Sequence, residues 1–240
     1  MQTKNHNHSA LLTLLQLVDS FFPTGAFAHS FGLETYVQNG LVTDQPSCEE
    51  LLRNALLEGI RNTDAIALAL AYKSAQTHEN APDASISRIA DLDMRLTALK
   101  LPRESRNGSV HIGKQFLRNA RQLVPHAALD AYEKRIRAKD CAGHHAIAYG
   151  LVAAAASIEL PIALLGFLHA YVVGQVSAAV RLVPLGATEG QLTIHSLHPH
   201  LLEIVEFAQN ANLDDLAAFT PGLDIRSMQH ERLYSRLFIS

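Results

Sequence analysis

The sequence predicts an all-α protein, a single-domain bundle of about ten helices around a central Ala/Gly-rich helix pair. Three observations carry that expectation. Ala and Leu are abundant while Val and Ile rarely alternate with polar residues, so the period-2 signature of strands is missing. Apolar residues recur instead at spacings of three and four, the repeat of a helix face. The stretch from Ala142 to Val183 holds Glu159 as its only acidic residue and Arg181 as its only basic one, which marks it as interior. With 240 residues, 48% of them hydrophobic and 18% charged, the chain is long and apolar enough to bury a core without staples.

Taken in order, Leu11, Leu12, Leu14, Leu15 and Val18 form an apolar face over Ala10 to Val18, and the constrained loop Phe21-Phe22-Pro23-Thr24-Gly25 follows. A helical pattern resumes from Ser30 to Asn39, and Gly40 stands where a left-handed stop is expected. Ser47 and Glu50 have the spacing of a capping box ahead of Leu51, Leu52, Ala55 and Leu56. A break at Asn62-Thr63, with Asp64 favouring a new N-terminus, introduces the run Ala65 to Ser74. His78 to Ser85 reads as a surface loop. Ile86 to Leu99 and Arg103 to Val124 read as helices bounded by Pro102 and Pro125, because proline disfavours helical geometry in the residue before it. Pro161 divides the interior stretch into two helices. Gly166, Ala170, Gly174 and Ala178 give the second a stripe of small residues, against which Ala142 to Ile158 is expected to pack. Shorter helices near Ala187 to Ile194 and Leu201 to Asn210 precede a tail carrying Pro221 and Gly222. Residues 1–240 thus read as one helical domain with a flexible N-terminal arm at 1–8.

Composition excludes several function classes. A formal net charge of -3 leaves no basic field to hold nucleic acid. Cys48 and Cys141 stand far apart, in no disulfide or zinc-ligand spacing, which fits a reducing cytoplasm. The polar start lacks the basic-then-apolar order of a secretory signal. Leu160 to Val180 is long enough to span a bilayer, but Pro161, His169, Gln175 and Ser177 and the absence of flanking basic clusters favour the central helix of a bundle.

Candidate chemistry is sparse. Gly108 to Lys114 matches GxxxxGK, yet Gln115 replaces the Ser or Thr that binds magnesium, and the segment before it is helical where a phosphate loop needs a strand. His144-His145 and the group His195, His198 and His200 invite a metal reading, but neither has recognisable ligand spacing. No nucleophile motif stands out. What remains are two segments that mix aromatics with hydrogen-bonding groups, Phe21 to Tyr36 and Met228 to Phe238, a composition that suits interface anchors.

At these segments the chain resembles the UreF family of urease accessory proteins. Pro23, Gly25, Phe27, His29, Ser30, Gly32, Leu33 and Glu34 match its opening signature, with Phe27 in place of the Tyr of some members. Glu104, Arg106, Ser109 and Gly113 match its middle, although Gly108 stands where many relatives carry a longer polar residue. His144 to Gly150 and His230 to Phe238 match its later signatures. The resemblance implies a homodimeric cytoplasmic chaperone without catalysis of its own and without a tightly bound cofactor, nickel being handled by the complex. Its partners would be a UreD/UreH-type scaffold, a UreG-type GTPase and apo-urease, with no nucleic acid and no membrane. The partner-binding residues it points to are Phe27, His29, Ser30, Phe31, Glu34, Tyr36, His230, Glu231, Tyr234, Ser235 and Arg236, with a tail, 226–240, that orders on partner binding. The rival classes are a His-rich metal-dependent hydrolase and a helical membrane protein.

Overall fold

A computed structural model of the chain describes residues 2–240, with side chains from His8 onward, so most of the expected arm at 1–8 lies outside the described side chains. Among the described residues the secondary structure is helical with no strand, and the helices share one core. The elements are α1 (Gln2–Val18), α2 (Leu33–Gln38), α3 (Gln45–Asn54), a π-helical stretch (Ala55–Ala65), α4 (Ile66–Gln76), α5 (Pro82–Leu99), α6 (Arg103–Leu123), α7 (Ala127–Arg137), α8 (His145–Ala155), α9 (Leu160–Leu182), α10 (Ala187–Ser196), α11 (His198–Asn210) and α12 (Pro221–His230).

Helix α8 is the centre. Every residue from Ala146 to Ala153 is buried, as the lack of any polar face on this Ala-rich segment requires. It is clasped chiefly by α4 and α6, with α9 as a further neighbour. The close approach runs through Gly150, where a Cβ would stand 2.3 Å from the Leu68 carbonyl oxygen. At Gly113 of α6 a Cβ would sit 2.2 Å from the Gly143 carbonyl oxygen. The small stripe of α9 serves its expected role only in part: Gly166 meets the Tyr149 hydroxyl of α8 but also Leu14 and Val18 of α1, and Gly174 faces open space.

A buried carboxylate orients α8. Asp93 on α5 accepts the Tyr132 hydroxyl from α7 at 2.6 Å and the amides of Ala142 and Gly143 at 2.5 and 3.0 Å. A negative charge at the start of α8 also suits the helix dipole, so one side chain ties three helices together.

Several local expectations are corrected. Helix α2 begins at Leu33 and not at Ser30, because Phe31 (φ 50°) and Gly32 (φ 93°) are left-handed; Gly40 (φ 69°) does stop it. The capping box of α3 pairs Asp44 with Ser47, one turn before the Ser47 and Glu50 pair, since Asp44 Oδ1 accepts the Ser47 amide at 3.0 Å. No break occurs at Asn62-Thr63: the chain runs on through the π-helical stretch into α4, and Asp64 is buried as an ion-pair partner and caps nothing. Helix α7 has no counterpart in the sequence reading; its dense charges mask an apolar face of Ala128, Leu129 and Tyr132. The GxxxxGK segment lies in the middle of α6, where no backbone amides are free to cradle a phosphate. Helix α9 is the one described helix long and apolar enough to cross a membrane, and half of its apolar window is buried inside the fold.

Candidate partner-binding site

The two segments singled out by composition meet. After α12 the chain turns back at Glu231 and runs over α2 to Ser240. The geometry that receives it starts in the loop before α2. Just ahead of the left-handed pair Phe31 and Gly32, the amides of Ser30 and Phe31 both donate to the main-chain oxygen of Ser240, at 2.5 and 3.0 Å. The Ser30 hydroxyl donates to the same oxygen at 2.8 Å, and the Ile239 amide returns a bond to the Ala28 carbonyl at 2.8 Å. Glycine suits position 32 because of its positive φ; a Cβ there would make only ordinary van der Waals contact with Ser227 on α12.

One turn on, the Glu34 carboxylate is buried and fully engaged. It accepts the amides of Leu237 at 2.7 Å and Phe238 at 3.1 Å, and faces His230 Nε2 at 3.0 Å. Burial pushes its pKa up, but the Leu237 amide, His230 and the Phe238 amide together outweigh burial and hold it below the ordinary value. The other ring nitrogen of His230 meets Glu104 of α6 at 2.6 Å, and Glu104 also receives Arg236 at 2.8 Å. The result is a chain of alternating groups, Glu34, His230, Glu104 and Arg236, that fastens the tail to both α2 and α6. Ser105 and Ser227, with hydroxyls 2.6 Å apart, add a further link between α6 and α12.

The predicted residues divide into two groups. His29, Ser30, Glu34 and His230 are buried structural members of the latch. His29 lies 2.7 Å from the Ser240 hydroxyl and stacks on Phe31, and burial together with His111 lowers its pKa, so its ring is neutral at pH 7. Tyr36 packs half-buried on the core, near Arg226. Phe27, Glu231, Tyr234, Ser235 and Arg236 face outward, Phe27 at 69% exposure and Tyr234 entirely. Ser235 contributes its carbonyl to the Gln38 amide.

Sequence reasoning missed two members of the site. Glu104 was visible within the middle signature but separated from the tail by 126 residues. Arg181, from the end of α9, sits between the rings of Phe27 and Phe238, 3.9 and 4.5 Å from their centroids. Its signal was its standing as the only basic residue of the interior stretch.

Elsewhere the candidates do not converge. His195 and His198 have ring centroids 5.1 Å apart with His169 next to them, on α10, α11 and α9, while His144 and His145 point to different neighbours. Among the described residues no group of three His, Cys, Asp or Glu side chains is placed to hold a metal ion. The thiols of Cys48 and Cys141 are pushed up by burial, to about 11 and about 12, which leaves them protonated and unreactive.

Comparison with known proteins places this architecture. The sequence model of the UreF family matches residues 42–198. The chain belongs to the UreF family. It is 38% identical over 227 residues to the urease accessory protein UreF of Actinobacillus pleuropneumoniae serotype 5b (strain L20), covering 95% of this chain and 97% of the relative. The UreF of Bacillus sp. (strain TB-90) is 36% identical over 230 residues, 96% of this chain and 99% of its own length. That of Haemophilus influenzae (strain PittGG) is 36% identical over 239 residues, so this similarity takes in both the loop before α2 and the tail. As a family member the chain acts in urease maturation, alongside other maturation components, and is not itself an enzyme.

Proposed function

We propose that the chain is an adaptor that bridges a UreD/UreH-type scaffold and a UreG-type GTPase and presents them to apo-urease for nickel insertion. Beyond family membership, the supporting observation is the latched tail: a rigid mount of buried charges with Phe27, Tyr234, Leu237 and Ile239 exposed around it. Clustered exposed apolar groups on a well-ordered base are the mark of a protein interface, with aromatic and Arg residues as its anchors. In this reading Phe27, Tyr234 and Arg236 contact the scaffold, and His29, Ser30, Phe31, Glu34, Tyr36 and His230 hold the contact surface in shape. Residues 226–240, expected to order on partner binding, are instead read as meeting the scaffold already latched, so little chain entropy is lost in the contact. Nickel passes through the assembly without becoming a tightly bound cofactor of this chain, and the site of action is the cytoplasm.

The adaptor works as a homodimer. Leu11, Leu12 and Leu15 of α1, Ile162 of α9 and Leu202 of α11 are large apolar side chains left exposed beside a groove lined by the same three helices, a face suited to a second copy.

The test is urease activity in cells lacking this gene, grown with ample nickel and with urease subunits checked by immunoblot. The full chain restores activity and a chain truncated before Gln229 does not. Unchanged activity in the deletion strain, at normal urease abundance, overturns the proposal.

A further inference from the structure

Three histidines stand together on the face proposed to meet a second copy. His169 of α9 lies 6.4 Å from His198 of α11, ring centre to ring centre, and His195 of α10 lies 5.1 Å from His198. All three are exposed. His169 and His198 belong to the wall of a groove of about 380 Å³ between α1, α9 and α11. The rest of that wall is apolar, with Leu14, Leu15, Ile162 and Leu202 among it, and no Asp, Glu, Lys or Arg lines it.

The face is self-complementary. Leu11, Leu12 and Leu15 are exposed along α1 at the edge of the groove, so a twofold axis that seats this ridge of one copy in the groove of the other repeats both contacts. The uncharged wall sets no like charges against each other across that axis. Docking then takes the imidazoles of His169 and His198 out of water, and burial disfavours the charged form of histidine. In the single chain, burial first and His198 second already hold the pKa of His169 below the ordinary 6.5, with no carboxylate to offset them. Of the other titratable groups on the four helices, His195 meets His198. His8, Asp19, Glu159, Arg181, Glu189, His200, Glu203 and Glu206 all lie outside the groove wall.

We propose that the dimer is pH-sensitive, held together while His169 is neutral and released when His169 of each copy takes up a proton beside His198. The inference rests on the homodimer of the adaptor reading. Its sign follows from linkage: the separate chains bind protons that the dimer excludes, so acid favours separation. The dimer is at full strength at pH 6.5 and above. It weakens as pH falls further, by up to about tenfold per pH unit for each of the two protons taken up.

The test is sedimentation equilibrium of the full chain at pH 7.5 and pH 5.0. The expected result is a dimer at pH 7.5 whose dissociation constant is at least about tenfold higher at pH 5.0. His169→Gln, at an exposed position, holds the constant level between the two pH values. Every buried histidine stays in place in that variant, so it separates titration of His169 from acid loosening of the fold. His169→Leu serves the same purpose where a buried Gln side chain weakens the dimer at both pH values. Leu12→Arg is monomeric throughout and marks the face. A native chain that is monomeric at pH 7.5 overturns the homodimer and this inference with it, and a dimer left intact by Leu12→Arg moves the interface off the histidine face and does the same. A native dimer equally tight at pH 5.0, or His169 variants that weaken in acid as much as the native chain, overturns the pH dependence and leaves the homodimer standing.

Discussion

Glu34 and His230 are 196 residues apart in sequence and 3.0 Å apart in the fold, both shut away from solvent. The pair joins the segment before the core helices to the segment after them. A buried charged group with its partners removed is costly, so the latch either forms as a unit or fails as one.

Glu34→Gln tests that cooperativity. The substitution keeps the shape but withdraws the charge that receives two amides and a histidine, and hydrogen bonds to charged groups are the strong ones. Stability to urea is expected to drop by about 2 kcal/mol, with faster proteolysis between Glu231 and Ser240. A tail that remains as resistant as in the native chain would remove the latch from this account.

The exposed and buried members of the site separate by readout. Tyr234 is fully exposed, so Tyr234→Ala leaves the melting temperature unchanged and weakens scaffold binding about thirtyfold if it is an anchor. Arg181→Ala, in contrast, takes a cation from between Phe27 and Phe238, and its cost of about 1 kcal/mol appears in stability as well as in binding. Equal effects of the two variants on stability would contradict this division.

Acid sensitivity follows from buried histidines. His145 and His144 both have folded values near 4, lowered chiefly by burial, against an ordinary 6.5, and His29 is lowered in the same sense. The unfolded chain therefore takes up protons that the native chain refuses. That stability is fully present above pH 6.5 and is lost as pH falls toward 4, at up to about 1.4 kcal/mol per pH unit for each proton. His145→Phe, placed among Phe116, Tyr149 and Phe167, is expected to flatten the slope by one proton. An unaltered slope in urea titrations between pH 7 and 4.5 would exclude His145 as a source.

Two glycines in long apolar helices should behave oppositely. Gly150→Ala forces a methyl group into the Leu68 carbonyl, and overpacking against backbone is expected to cost about 3 kcal/mol. Gly174→Ala meets nothing and gains helix propensity, so stability rises by up to about 1 kcal/mol. Thermal unfolding of the two variants measures both, and losses of similar size would show that the helix packing differs from that described.

Periodicity and proline positions were enough to place most helices, because an apolar stripe and a missing N–H are local properties. The all-α class, the interior standing of Ala142 to Val183 and the weight given to the loop before α2 and the tail could all be read from residue order. Helix α7 escaped because its charges dilute its apolar face, and the break at Asn62-Thr63 was misread because a Thr-Asp pair that favours a helix start locally is overridden by burial of Asp64 against Lys100. The tertiary structure alone decided which members of the two segments hold the fold together and which remain outside, since Glu34, His230, Glu104 and Arg181 acquire partners only when distant chain segments converge. It likewise decided that Gly150, and not the stripe on α9, admits a neighbouring backbone. Chain order sets which elements form, whereas hydrogen bonds and close contacts between residues far apart in sequence depend on packing that no local pattern records.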